Sequence, residues 1–406
     1  MLRQFFNLSV STAKLVLPFG GLFNPKIKAF VMGRKALWGQ LRKLSPKQKT
    51  IWLHAASLGE YEQGLPLLEA LKRKFPDRQF LVSFFSPSGY EIRHNHGVAD
   101  LCVYLPWDTP KDVNRFLEIT KPEMAFIVKY EFWPNLLEGL TSQNIPTYLI
   151  SGRFYKKQFL FQKKGAFLRE SLKGFTHFFV QDDNSKELLL SVGFKNVSIT
   201  GDTRFDRVSE LSTPLGFMET FAKDRFCVVA GSIWPKDFEL IKAAIQESDK
   251  KICWVLAPHE LQPSFINQMT TAISGKVQRY SKLEIEKLPE TRVLILDTIG
   301  LLNACYASAQ MAYVGGGMGT SGLHNVLEPA AAGIPIVIGK NYQNFDEAKE
   351  MIRGGGMYSC ETEKSFKETS SRLTADKLQA EKIGKINLDY VNAQKGATQK
   401  ILGFFK

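Results

Sequence analysis

Four segments of the chain place charged or glycine-rich sequence directly after an apolar, strand-like run. The first is HAASLGEYEQ (54–63), in which Glu60 follows the run IWLHAAS (51–57). A carboxylate just past the carboxyl end of a parallel strand faces the ligand-binding edge of the sheet, where it can take a proton from a hydroxyl group. Ser57 and Glu60 also have the S-x-x-E spacing of a helix capping box, so helix capping is the alternative explanation of this glutamate.

The second and third segments carry one charged candidate each. Glu131, in KYEFWPNLL (129–137), follows the run MAFIV and could orient groups or stabilise charge at the same edge; the alternative is a surface carboxylate beside a Trp-Pro turn. Arg204 lies in ITGDTRFDRV (199–208), and arginine suits two-pronged recognition of phosphate or carboxylate. An ion pair between domains is the alternative explanation of Arg204.

The fourth segment, residues 313–345, is a glycine-rich loop after a strand, followed by HNVLEPAAAG and a second strand. Backbone N–H groups at such a turn and at the start of the next helix form an anion site. Asn325 and Glu328 are three residues apart and share one helix face. A carboxylate there can accept hydrogen bonds from ribose hydroxyls, whereas the alternative is plain turn chemistry.

Metal and cofactor chemistry find no support in the sequence. The chain has six histidines and five cysteines but no H-x-x-x-H, C-x-x-C or D-x-D pattern, so neither a metal site nor a cofactor is expected. A leaving group with a single phosphate can instead be stabilised by helix N-termini and by Arg or Lys. The cysteines lie mostly in apolar runs, which favours buried thiols and a reducing cytoplasm.

The order of the runs predicts the fold class. Nearly continuous apolar runs of strand length alternate with stretches of helical periodicity along all 406 residues, as in α/β proteins with parallel sheets covered on both faces. The length favours two domains. We therefore predict two Rossmann-like, doubly wound domains, residues 1–208 and 209–406, which face a central cleft where ligands bind.

The net charge of +13 is concentrated in two places. Residues 1–50 contain ten Lys or Arg and no acidic residue, and the apolar stretch 4–23 is interrupted too often for a membrane-spanning helix. This pattern favours an amphipathic segment lying on an anionic membrane surface. A second basic cluster in residues 153–173 suits the same surface or a phosphorylated substrate, or is a solvated helix face. No recognised nucleic-acid-binding motif accompanies these clusters, so nucleic acid is not an expected partner.

Taken together and in order, these segments resemble the Kdo transferase family of GT-B glycosyltransferases along nearly the whole chain. The resemblance implies Glu60 as proton acceptor, Glu131 near the transition state and Arg204 as the charge for which the family usually has Lys. It also implies a CMP site. The residues at the matching positions are Pro258, His259, Ile299, Gly300, Leu301, Asn325, Val326, Leu327 and Glu328.

The activity implied by the resemblance is the inverting transfer of Kdo, an acidic eight-carbon sugar, from CMP-Kdo to a lipid A precursor (lipid IVA) in lipopolysaccharide biosynthesis. The N-terminal domain would bind the lipid and the C-terminal domain the donor. The enzyme would act at the cytoplasmic face of the inner membrane of a Gram-negative-type bacterium. The alternatives are a nucleotide-sugar epimerase of GT-B-like fold, another lipid-directed GT-B glycosyltransferase, or a nucleic-acid-binding protein.

Besides Arg204, four places depart from the family pattern. Lys129 stands where the family often has a glutamate, Trp234 where it commonly has a histidine, and Gly317 where it has a serine. APHE (257–260) replaces a P-R-H pattern, whose arginine the family is expected to place at the nucleotide phosphate.

Overall fold

The computed structural model of the chain describes residues 2–94, 97–208 and 215–405. The chain divides into two compact units, residues 1–207 together with 395–406, and residues 208–394. The predicted boundary after residue 208 lies at this division, although residues 209–214 next to it are outside the described part. Residues 395–406 belong to the first unit and not to the C-terminal domain predicted from the sequence.

The first unit is built on a parallel seven-stranded sheet of order β3-β2-β1-β4-β5-β6-β7. Alternate residues of the central strands enter separate apolar cores on the two faces, Trp52 on one and Ile51 and Leu53 on the other. The strands are β1 Thr50–Ala55, β2 Gln79–Phe84, β3 Leu101–Tyr104, β4 Pro122–Val128, β5 Thr147–Gly152, β6 His177–Val180 and β7 Val197–Ile199. The helices among the described residues are α1 Leu2–Gly20, α2 Pro25–Gln40, α3 Leu58–Lys74, α4 Pro87–Arg93, α5 Pro110–Thr120, α6 Pro134–Ser142, α7 Ala166–Leu172, α8 Asp183–Ser191 and α9 Arg204–Val208.

The second unit repeats this plan with a parallel seven-stranded sheet of order β10-β11-β9-β8-β12-β13-β14. Its strands are β8 Phe226–Ile233, β9 Ile252–Pro258, β10 Val277–Arg279, β11 Val293–Ile295, β12 Met311–Val314, β13 Ile336–Gly339 and β14 Met357–Cys360. Its described helices are α10 Gly216–Ala222, α11 Pro235–Glu247, α12 Pro263–Ala272, α13 Leu302–Tyr306, α14 Leu327–Ala331, α15 Asp346–Gly354, α16 Glu363–Ala375 and α17 Lys377–Ala393.

The last helix, α18 Ala397–Leu402, explains why the C-terminus belongs to the first unit. The Asp206 carboxylate accepts hydrogen bonds from the backbone N–H groups of Gly396 and Thr398, both at 2.7 Å. Phe405 packs edge-on against Phe126 in the core of that unit. No periodicity in the sequence announces this return, because it depends on contacts between residues almost 200 positions apart.

The strand order creates one switch point in each sheet. In the first unit β1 and β4 are neighbours, and the connections that follow them lead to opposite sides; β8 and β12 are the equivalent pair in the second unit. Loops after such strands diverge and leave a crevice at the carboxyl edge of the sheet. Glu60 and Glu131 follow β1 and β4, and the glycine-rich loop follows β12.

Strand-like apolar runs of the sequence predict every described strand except β3, β10 and β14, and each of these three is an edge strand. They have only three or four residues and the sequences LCVY, VQR and MYSC. A short edge strand pairs on one side only and does not need a long apolar run, so its pattern is weak.

The N-terminal helix α1 exposes apolar side chains and turns polar ones toward the rest of the first unit, the reverse of an ordinary surface helix. Its polar side chains contact the first unit: Arg3 donates to Asn135 Oδ1 at 3.1 Å, and Lys14 pairs with Asp112. Six large apolar side chains of the helix and two just after it are exposed, namely Leu2, Phe5, Leu8, Leu15, Val16, Phe19, Leu22 and Phe23. In the described part of the chain, no helix combines the length and the hydropathy needed to cross a bilayer.

Candidate active site

Glu60 lies in the first turn of α3, directly after β1. The backbone N–H and the hydroxyl of Ser57 both donate to its Oε2, at 3.0 and 3.3 Å. The capping interaction proposed as the alternative therefore exists. Burial raises the pKa of Glu60, and the nearby charge of Glu131 raises it further. A carboxylate whose pKa is shifted toward neutrality is a better general base than an ordinary glutamate, so capping and base chemistry are compatible in one side chain.

Glu131 lies in the short loop between β4 and α6. Its Oε2 accepts a hydrogen bond from the Trp133 indole at 2.7 Å and faces Nε2 of the buried His54 at 3.4 Å. Burial acts to raise the pKa of Glu131, but the hydrogen bond and the electrostatic attraction of His54, together with the hydrogen bond from Trp133, outweigh it, and the net shift is downward. Glu131 is therefore held by the protein interior, which excludes the freely solvated surface carboxylate.

The two carboxylates thus have pKa values pushed in opposite directions at one switch point. Such divergence is the usual arrangement when one acid stays ionised and the other handles a proton. Lys129, which replaces a glutamate of the family pattern, contributes here because its positive charge lowers the pKa of Glu60 and limits the upward shift. The positive φ of Lys129, 58°, begins the turn that carries the chain from β4 toward Glu131.

Arg204 begins α9 and pairs with Asp202 inside the first unit. Its Nε donates to Asp202 Oδ2 at 2.8 Å, and Gln63 of α3 donates to the other oxygen at 2.9 Å. Burial acts to raise the pKa of Asp202, but Arg204 and these hydrogen bonds lower it. This ion pair is formed within the first unit, and the arginine side chain keeps 31% of its surface exposed.

In the second unit, the glycine-rich loop after β12 is packed backbone against backbone. Gly316 has φ 92°, and a Cβ there would lie 2.1 Å from the carbonyl oxygen of Gly322. A Cβ on Gly317 would lie 2.9 Å from the backbone nitrogen of Gly339 at the end of β13. The departure at Gly317 therefore suits this loop, because a serine would need β13 to move away.

Asp237 of α11 holds this loop to the end of β8. It is fully buried, and Oδ2 accepts the N–H groups of Trp234 and Gly316, both at 2.9 Å. Its Oδ1 accepts the hydroxyl of Tyr313 at 2.8 Å. One carboxylate thus ties together the two loops of the switch point, a role that sequence reasoning missed although the residue stands in the segment AGSIWPKD.

Trp234, His259 and His324 form an aromatic stack beside the loop. The His259 ring lies 4.1 Å from that of His324 and 4.7 Å from that of Trp234, centre to centre. The Trp234 indole donates to Nε2 of His324 at 2.9 Å, so this nitrogen carries no proton. Burial lowers the pKa of His324 to about 4, helped by His259. The ring is therefore neutral at physiological pH. The indole N–H of Trp234 donates a hydrogen bond to it that a phenylalanine side chain could not.

The remaining CMP candidates lie on the neighbouring segments. Asn325 donates to Glu328 Oε1 at 3.0 Å and accepts at 3.1 Å from the N–H of Leu327, the first residue of α14. Val326 and Leu327 are buried, and Pro258 is the buried last residue of β9. In contrast, the loop Ile299–Gly300–Leu301 before α13 is largely open, with Ile299 83% exposed. The fold brings His259 to the glycine-rich loop, and helices α13 and α14 pack together; that these residues bind CMP stays a prediction.

The sequence of the chain is similar to those of known Kdo transferases. The model of the family 3-deoxy-D-manno-octulosonic-acid transferase (kdotransferase) matches residues 33–207. A Haemophilus influenzae 3-deoxy-D-manno-octulosonic acid transferase is 26% identical across 100% of this chain and 98% of its own length. The Aquifex aeolicus transferase is 27% identical across 78% of this chain and 85% of its own. Together these matches support a Kdo transferase. The chain is therefore a glycosyltransferase, as the motif order predicted.

Solved structures support the fold alone. The crystal structure of UDP-GlcNAc 2-epimerase from Neisseria meningitidis bound to UDP-GlcNAc is 16% identical, covers 88% of this chain and 99% of its own, and superimposes with a TM-score of 0.61. The predicted α/β fold of GT-B type, with two Rossmann-like parallel sheets, is confirmed. Epimerases share this architecture, so the likeness does not distinguish their chemistry from transfer.

Proposed function

We propose that this protein catalyses the inverting transfer of Kdo from CMP-Kdo to a lipid A precursor (lipid IVA). The observation that carries the proposal is the pair of carboxylates after β1 and β4, Glu60 with a raised and Glu131 with a lowered pKa. The similarity to Kdo transferases is the reason for assigning Kdo as the sugar and CMP as the nucleotide. The pair supplies a base whose affinity for a proton is raised beside an acid that remains charged.

In the proposed step, Glu60 takes the proton of an acceptor hydroxyl while the hydroxyl oxygen attacks the anomeric carbon of Kdo. The bond from that carbon to the phosphate oxygen breaks, and CMP leaves with the bonding electron pair. Glu131 stays ionised and stabilises positive charge that develops on the sugar ring. Arg204 contributes positive charge toward the departing phosphate, a role for which no metal ion is invoked.

On the donor side, the second unit offers the chemistry that a cytidine monophosphate needs. Asn325 and Glu328 present an amide and a carboxylate for ribose hydroxyls, while Pro258, His259 and the loop 299–301 line the neighbouring strand ends. We assign these residues, with Val326 and Leu327 as their buried support, to CMP.

On the acceptor side, the outward apolar face of α1 supports contact with the bilayer that carries the lipid. Seven lysines and arginines on or after α2 are exposed next along the chain, namely Lys26, Lys28, Lys35, Arg42, Lys43, Lys47 and Lys49. Exposed apolar side chains beside basic ones bind anionic membrane surfaces from one side. We place the enzyme at the cytoplasmic face of the inner membrane of a Gram-negative-type bacterium.

Replacing two exposed residues of α1, in Leu15→Ser with Phe19→Ser, is expected to reduce binding to anionic vesicles at least tenfold. Each large apolar side chain contributes about 1.5–3 kcal/mol when fully buried, and in water these two are 73% and 70% exposed. Vesicle co-sedimentation measures the change. Leu378→Ser on α17, 70% exposed in the second unit, is the matched control and should bind normally. Equal binding by all three proteins would remove α1 from the membrane contact.

The role of Arg204 can be separated from its ion pair by a double replacement. Arg204→Met alone leaves the buried Asp202 carboxylate without its arginine and is expected to lower thermal stability. Adding Asp202→Asn should restore stability but leave transfer about 10²-fold slow, the loss typical of one group that stabilises transition-state charge. Arg204→Lys, the family residue, should stay within tenfold of the native rate. A double variant with native turnover would show that Arg204 serves only the ion pair.

The proposed function is tested by incubating the enzyme in detergent with lipid A precursor and with CMP-Kdo generated in situ, and by reading the products by mass spectrometry. A lipid that gains one or more Kdo masses is the expected result. CMP release without a modified lipid would point to another lipid-directed acceptor. Conversion of a nucleotide sugar without any acceptor would favour the epimerase alternative.

A further inference from the structure

A buried histidine stands behind the candidate site without a place in the proposed transfer. His54 is the penultimate residue of β1 and is fully buried. The strand register pairs it with Ser83 on β2 and with Ile127 on β4. Because side chains alternate along a strand, His54 shares its face of the sheet with Trp52. This places the imidazole at the β1/β4 switch point, one loop away from Glu131.

Four side chains form a directional chain of hydrogen bonds through this histidine. The Trp52 indole donates to Ser83 Oγ at 2.8 Å, and Ser83 Oγ lies 2.9 Å from His54 Nδ1. On its other side, His54 Nε2 lies 3.4 Å from Glu131 Oε2. An indole N–H can only donate, so the Ser83 hydroxyl accepts from Trp52 and keeps its own hydrogen to donate. His54 Nδ1 is positioned to receive it.

The direction of this chain decides where the imidazole proton sits. If Nδ1 accepts from Ser83, the neutral ring carries its proton on Nε2, which points at the Glu131 carboxylate. The opposite tautomer would turn a nitrogen lone pair toward a carboxylate oxygen and leave the buried hydroxyl without an acceptor in this chain. The carbonyl of Ser83, also 3.0 Å from Nδ1, would take the ring proton in that second tautomer, whereas in the first it faces the Nδ1 lone pair. The charged carboxylate of Glu131 outweighs this neutral carbonyl as an acceptor, so its contact with Nε2 favours the first tautomer.

We propose that His54 is a positioning residue for Glu131, and that the Trp52–Ser83 pair holds its proton on Nε2 so that the Glu131 carboxylate is kept ionised and fixed in place. The proposal rests on the role of Glu131 in the proposed function. The Trp133 indole donates to the same oxygen of Glu131, so the carboxylate contacts both His54 on β1 and a residue of its own loop. The other charged groups nearby are Glu60 on α3 and Lys129 at the end of β4.

The test replaces His54 with two amides that mimic different ring nitrogens. Asn places its amide near Nδ1 and loses the donor to Glu131, whereas Gln places an N–H near Nε2 and keeps it. We expect His54→Asn to raise the pKa of Glu131. Carbon NMR measures this pKa, and the Glu131→Gln variant assigns the carboxylate signal. It should lower kcat about ten- to a hundredfold, the range for one lost hydrogen bond to a charged group, while KM for CMP-Kdo stays within twofold. His54→Gln should recover most of both properties.

Two further variants protect the test against misfolding. Ser83→Ala leaves β1 intact, but without the hydroxyl His54 should shift its proton to Nδ1, facing the Ser83 carbonyl, and the pKa of Glu131 should again rise. His177→Asn is the matched control, since His177 on β6 makes a similar bond to Ser198 Oγ at 2.8 Å without any link to Glu131. It should leave kcat and the Glu131 titration unchanged.

The outcomes separate this inference from the proposed function. An unchanged Glu131 titration in folded His54→Asn or Ser83→Ala overturns the positioning role, as does equal activity of the Asn and Gln variants. A shifted titration in an enzyme that does not transfer Kdo would uphold the hydrogen-bond chain and reject the proposed function instead.

Discussion

Replacing Glu60 with Gln is expected to slow Kdo transfer by about 10²- to 10⁴-fold, the usual contribution of a general base. Glutamine still occupies the third helical position of a capping box, so α3 should keep its start and the protein its fold. The measurement is the initial rate of lipid modification, with circular dichroism to verify folding. Ser57→Ala is the complementary control: it removes a hydroxyl that contacts Glu60, and should lower stability modestly while transfer persists. Native turnover in the folded glutamine variant would show that Glu60 serves only as the cap of α3.

The pH dependence of kcat tests the roles of Glu60 and Glu131 independently. The base form of Glu60 is present above its raised pKa and is lost as pH falls through it, so the acid limb of kcat should lie at higher pH than an ordinary glutamate would give. Glu131→Gln removes the like charge that contributes to the upward shift. The acid limb of its residual activity should therefore move to lower pH. A limb that stays in place would mean that another group controls it.

Asp237→Ala is expected to have the largest effect on the second unit. The buried carboxylate receives two backbone N–H groups and one tyrosine hydroxyl, and each buried donor left without a partner costs about 1–3 kcal/mol. We therefore expect a loss on the order of 3 kcal/mol or more in the free energy of unfolding. CMP binding should weaken with it, because the glycine-rich loop loses its anchor at Gly316.

Chemical denaturation and titration calorimetry with CMP measure the two effects. Asp237→Asn is the matched control, since its amide oxygen can keep both backbone N–H groups while its NH₂ donates to the Tyr313 oxygen. That variant should lose only a small part of the stability. Native stability and CMP affinity in the alanine variant would show that the loop is held by its glycine packing alone.

The fold class was readable from the sequence because parallel strands buried on both faces must be apolar along their whole length. The runs at β1, β4, β8 and β12 are of this kind, and they already placed Glu60, Glu131 and the glycine-rich loop after strand ends. The edge strands β3, β10 and β14 and the return of α18 to the first unit were not readable, since a strand paired on one side has a weak pattern and a terminal helix shows no partner.

Within the site, the sequence determined which residue types stand at strand ends, and their order was sufficient to place the chain beside the Kdo transferases. The structure alone decided which strands are neighbours, and with them the opposite pKa shifts of Glu60 and Glu131, the grip of His54 on Glu131 and the anchor at Asp237. Each of these depends on two or three groups that are distant in sequence and share a buried environment. The free energy of a charge or a proton there is set by those neighbours and by the loss of water, which no local pattern of residues records.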